Sequence, residues 1–114
     1  MIELLMAASI ATEAGLLREC ENGSPKCAAY IWGVIDTTLD QEAYRGEQRS
    51  ICLPDDVTDD EVVDHWLANI RADRTPQLQA KTLPPGRIIY VIRQRFPCPE
   101  HATIPRSDEA EKHN

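Results

Sequence analysis

Apolar residues recur three and four positions apart in several stretches of this chain, the period that places them on one face of a helix. The clearest stretch is residues 51–70, ICLPDDVTDDEVVDHWLANI, where Val62, Val63, Trp66, Leu67 and Ile70 form one stripe. Its start is fully specified. Thr58 is placed as the N-cap, and Glu61 three residues on completes a capping box in which each side chain reaches the other's backbone N–H. Val57 and Val62 can form a hydrophobic staple, and Asp59, Asp60 and Glu61 set negative charge at the positive end of the helix dipole. A second helix opens at Ser24-Pro25, an N-cap followed by a residue with its φ preset, and is predicted to run through Tyr44. Its stripe is Cys27, Tyr30, Ile31, Val34, Ile35 and Leu39. Gly33 within it costs about 1 kcal/mol relative to Ala and marks either a close helix contact or a tolerated glycine.

The flanking segments complete the pattern. Residues 12–20, TEAGLLREC, carry Leu16 and Leu17 on one side, and Asn22-Gly23 gives a turn before the second helix. Residues 84–99, PPGRIIYVIRQRFPCP, fit a helical stripe through Ile88, Ile89, Ile92 and Phe96, but Ile88 to Ile92 is also rich enough in β-formers to be a strand. Helix is preferred, because prolines suit a helix start and no partner strand is visible. Residues 44–50 read as a polar loop and residues 72–83 as a connection with at most a short helical turn. The expectation is an all-α, disulfide-stapled four-helix domain over residues 12–99, followed by a polar tail at 100–114. Residues 1–11, MIELLMAASIA, are too short to span a bilayer; they read as a remnant of a secretory signal, without its basic start, or as the beginning of the first helix.

Four cysteines, Cys20, Cys27, Cys52 and Cys98, include no C-x-x-C pair of the kind that zinc sites use. An even number in a chain of 114 residues points to two disulfides and an oxidising compartment. Three connectivities are open. If the third and fourth helices form an antiparallel hairpin, Cys52 before one and Cys98 after the other come within reach, and Cys20 with Cys27 closes the short turn between the first two helices.

A formal charge of −7 disfavours nucleic acid or an anionic membrane as partner and favours a basic protein. No catalytic, phosphate-binding or calcium-loop motif is present in the sequence, so an enzyme is not expected, nor a cofactor or metal. His65, on the third helix beside Asp64, reads as structural or neutral. Trp32 and Trp66 fit helix stripes and read as core. Arg87, Arg93 and Arg95 alternate with apolar residues on the last helix, as a solvated face or a partner-facing patch.

Four segments in order, LLREC, CAAYIWGVIDT, ICLPDDVTDDEVVDHWLANI and RFPCP, together resemble the Rap/Tai immunity proteins of type VI secretion systems, whose pattern is roughly LLxxC, CxGYIxGVxD, CxPxGVTxxQL and FPCP. The likeness spans residues 16–99 and includes all four cysteines. Ala29 stands where the family usually has Gly, Asp56 likewise before Val57, and Arg74-Thr75-Pro76 replaces a usual His-Pro. The resemblance implies a helical periplasmic protein, often a homodimer, with a fold similar to the acid-stress chaperone HdeA. It implies binding to a peptidoglycan amidase effector and blockade of its active site. The residues offered for that contact are Asp59, Asp60 and Asp64 at the acidic helix start, with Arg74, Gln77 and Lys81 in the loop that follows. A periplasmic acid-stress chaperone and a generic periplasmic binding module are the alternatives.

Overall fold

The computed structural model describes residues 12–73, 75, 79 and 81–99, in which the secondary structure is helical apart from one isolated bridge residue. Helix α1 is Glu13–Glu21, α2 is Pro25–Arg45, α3 is Asp59–Ala72 and α4 is Pro84–Arg95. The first eleven residues and the tail from residue 100 lie outside the described residues, and with them the readings made of those segments.

The first three helices start where a side chain caps them, and α4 starts on Pro84 and Pro85 behind Leu83, with no side-chain cap. The hydroxyls of Thr12, Ser24 and Thr58 accept from the backbone N–H of Gly15, Lys26 and Glu61. Thr12 therefore begins α1 as a helix of its own. The α3 cap departs from a full capping box, because the Glu61 carboxylate accepts from the Thr58 hydroxyl at 3.4 Å. Helices α1 and α2 end alike. Gly23 and Gly46 take φ of 69° and 68°, the left-handed conformation that costs glycine least. Each supplies the paired backbone bonds of a Schellman motif: Gly23 to Cys20 and Ser24 to Glu19, then Gly46 to Ala43 and Glu47 to Glu42. The second helix thus includes Tyr44 and Arg45, and the polar loop begins only after them.

Burial follows the stripes. Leu16 of α1, Cys27, Ile31 and Ile35 of α2, Val62, Trp66, Leu67 and Ile70 of α3, and Ile88, Val91 and Ile92 of α4 form one core with Ile51. On α4 the buried edge is Ile88, Val91 and Ile92, with Ile89 and Phe96 only half-buried. Gly33 marks no close approach: a side chain there would meet open space. Helix α4 packs against both α2 and α3, and α1 against the same two. Disulfides join Cys20 to Cys27 and Cys52 to Cys98, and the backbone N–H of Cys52 donates to Phe96 O at 2.9 Å beside the second bond. No helix among the described residues is long and apolar enough to cross a membrane.

Candidate partner-binding surface

The start of α3 is the most acidic part of the surface. Asp55, Asp56, Asp59, Asp60, Glu61 and Asp64 are all exposed, and the chain has no Lys or Arg between Arg49 and Arg71. The local reason is capping: carboxylates at a helix start interact favourably with the unpaired N–H groups and the dipole. Capping uses only part of them. No ion pair among the described residues reaches Asp55, Asp56, Asp59, Asp60 or Asp64.

Beside Asp59 and Asp60 lies a cleft of about 670 Å³ between the beginnings of α2 and α3. The Cys20–Cys27 disulfide, Pro25, Ala28, Trp32 and Val63 give it an apolar lining, while Asp59 and Asp60 supply its charge. Trp32 is half-buried there, so it belongs to a surface as much as to the core. The sequence signal for this role is its position one residue past Ile31 on the α2 stripe, at the stripe's edge.

The cations of the last helix are engaged internally. Arg87 donates to Glu13, Asn69 and Asp73, joining α1, α3 and α4; its Nη1 lies 2.8 Å from Asn69 Oδ1. Arg93 meets Glu42 at 3.4 Å and donates to Ser50 Oγ at 2.9 Å. Arg87 is therefore withdrawn from the solvated face, while Arg93 stays exposed and only its guanidinium reaches back to the buried Glu42. Arg95 remains exposed. Glu13 and Glu42, exposed by 1% and 6%, sit on apolar stripes three residues before Leu16 and seven after Ile35, where a carboxylate needs an internal cation. The Thr75 hydroxyl, and then the Arg87 guanidinium, hold the Asp73 carboxyl below its usual range, while Glu13 and Asp73 raise the pKa of Arg87.

Four of the six offered contact residues lie among those described. Asp59 and Asp60 line the cleft, and Asp64 is exposed further along α3. Lys81 is exposed just before α4, next to the residues held by Arg87, the length of α3 away from Asp59, roughly 20 Å at 1.5 Å per residue. Arg74 and Gln77 lie outside the described residues. Buried Gln79, which no sequence signal marks, donates through Nε2 to Ile70 O and Asp73 O and so closes the C-terminal end of α3. His65 stacks edge-on against Phe96, with ring centroids 5.4 Å apart, a packing contact. No His, Cys, Asp or Glu grouping among the described residues could hold a metal ion.

The family model of the Rap1a immunity proteins matches residues 12–98, which contain all four helices and both disulfides. No curated protein and no solved structure gives a significant match.

Proposed function

Since the chain belongs to the Rap1a immunity protein family, we propose that it protects the cell that makes it by binding a peptidoglycan amidase delivered through type VI secretion and blocking the amidase active site. The family match over residues 12–98 carries this reading. The place of action is the periplasm, where effector and cell wall meet and where disulfides such as Cys20–Cys27 and Cys52–Cys98 persist. The protein acts by occupancy, without turnover.

The physics required is rigid recognition. Two disulfides and two internal ionic networks fix the helices before binding, so little ordering entropy is lost when the surface meets its target. The unpaired carboxylates at the α3 start give that surface a sign, which suits a basic rim around the amidase cleft. The homodimer that the resemblance implies belongs to the same reading and is read by light scattering of the oxidised protein.

The test is capture. Oxidised protein serves as bait in secreted and periplasmic material from the source bacterium, and bound proteins are identified by mass spectrometry and assayed on peptidoglycan. The expected result is a stoichiometric amidase that loses activity in the complex. Retention of a mixture of unfolded proteins, increasing at low pH, would replace the immunity reading with a chaperone role.

A further inference from the structure

Resting on the immunity reading, we infer that the cleft between the starts of α2 and α3 is a socket for one arginine side chain of the effector. The cleft holds about 670 Å³ and is open to solvent, so a side chain carried on another protein can enter it. Its walls are Ala28, Ala29 and Val63 with the half-buried Trp32, and its charge is that of Asp59 and Asp60. A group that matches has a flat, weakly hydrated cationic end on an apolar stem. Arginine has that form: its guanidinium stacks on an indole and pairs with a carboxylate through two parallel hydrogen bonds, whereas the lysine ammonium is a compact, strongly hydrated charge.

The sign of the site needs care, because helix starts attract anions. Here several of those donors are already occupied, and the rest lie under the carboxylates of Asp59 and Asp60 themselves, which outweigh a half-charge dipole. Ser24 Oγ accepts from Lys26 N–H at 3.2 Å, Pro25 has no N–H, and Thr58 Oγ1 accepts from Glu61 N–H at 3.2 Å. The field met by an incoming group is therefore set by Asp59 and Asp60, reinforced by the exposed Asp55, Asp56 and Asp64, none of which has a salt-bridge partner among the described residues. The nearest cation in sequence, Lys26, is exposed and does not line the cleft.

The test has two arms. In the first, ¹⁵N-labelled oxidised protein is titrated with acetyl-Gly-Arg-Gly-amide and with the same peptide carrying citrulline or lysine. The expected result is saturable shifts at residues 24–29 and 59–63 and at the Trp32 indole N–H, with citrulline and lysine at least tenfold weaker. The double variant Asp59→Asn/Asp60→Asn loses at least tenfold, while Asp36→Asn/Asp40→Asn, which removes the same charge from the exposed side of α2, changes nothing. Shifts scattered over the surface, lysine binding equal to arginine, or equal losses in the two variants overturn the socket. In the second arm both variants serve as bait for the amidase. At least tenfold less amidase on Asp59→Asn/Asp60→Asn than on the control supports the proposal, and undiminished capture overturns it whatever the peptides do. If the wild-type bait retains no amidase, the immunity reading fails and takes the named partner with it, and the peptide arm alone decides whether the cleft takes arginine.

Discussion

Replacing Arg87 by methionine tests how the helices are held together. The guanidinium joins Glu13 at the start of α1 to Asn69 and Asp73 at the end of α3. The Glu13 side chain is 1% exposed and that of Arg87 19%, so this pair is largely out of water. Methionine keeps the apolar stem but leaves the Glu13 carboxylate with no counter-charge. Removing one partner of a buried pair costs about 3–5 kcal/mol, against about 0–1 kcal/mol for an exposed pair. A fifth of the Arg87 side chain still reaches water, which places the expected loss at the lower end, about 3 kcal/mol. That is a large part of the roughly 5–15 kcal/mol of a small domain, and corresponds to a fall in Tm of roughly 12–24 °C. The assay is urea unfolding of the oxidised protein followed by far-UV circular dichroism, with the denaturant slope required to stay constant. The double variant Glu13→Gln/Arg87→Met separates charge from packing, because neutralising the stranded carboxylate should recover at least half of the loss. A cost below about 1 kcal/mol for Arg87→Met, or a double variant no more stable than the single, would refute the argument that Glu13 depends on this cation.

Four further outcomes follow from the same physics. Because the Thr75 hydroxyl and Arg87 hold the native Asp73 pKa below its unfolded value, its contribution is complete above about pH 4 and is lost as pH falls through the lowered native value; Asp73→Asn should remove that part of the acid slope of stability. Replacing both members of Cys52–Cys98 by serine should destabilise by about 4 kcal/mol and of Cys20–Cys27 by about 2.5 kcal/mol in the chain-entropy model, because the bonds close sequence separations of 46 and 7; equal losses in thermal unfolding would contradict that ordering. Thr58→Ala should cost about 1 kcal/mol through the lost bond to Glu61 N–H, measured by the same urea titration. Raising the salt concentration should slow association with the amidase and leave dissociation nearly unchanged, as stopped-flow mixing would show, if the α3 carboxylates act by steering.

The longer helices α2 and α3 were legible because each carries two agreeing signals, a cap and a stripe, whereas α4 has a stripe and a proline start but no cap. Ser24-Pro25 with the run from Cys27 to Leu39, and Thr58 with the run from Val62 to Ile70, needed no tertiary information. The ionic networks were not legible in this way. Glu13 and Glu42 look like ordinary surface carboxylates until the helices pack and place Arg87 and Arg93 against them, contacts made across 74 and 51 residues of chain. A period in one helix says which face is buried, and it does not say which cation on another helix will meet a polar residue on that face. Asp59 and Asp60 were legible as charge but not as part of a cleft, since the facing wall of Ala28, Ala29 and Trp32 comes from α2.

The networks and the acidic surface are separate. Of the four ion-paired arginines among the described residues, Arg45 meets Glu47 two positions along the chain, while Arg71, Arg87 and Arg93 meet Glu21, Glu13 with Asp73, and Glu42. Two of these pairings answer a structural need, because Glu13 and Glu42 are buried and would be costly without a cation. Arg87 and Arg93 are thus committed away from the start of α3, whose six carboxylates at residues 55–64 contribute to the net charge of −7. The contacts that fix the helices involve none of the carboxylates of residues 55–64, so among the described residues stability and the sign of the binding surface rest on different side chains. Arg87→Met should lower stability by about 3 kcal/mol without weakening the acidic field at Asp59 and Asp60, whereas Asp59→Asn/Asp60→Asn should weaken that field and cost only the dipole interaction, roughly 0.3–1 kcal/mol for each carboxylate.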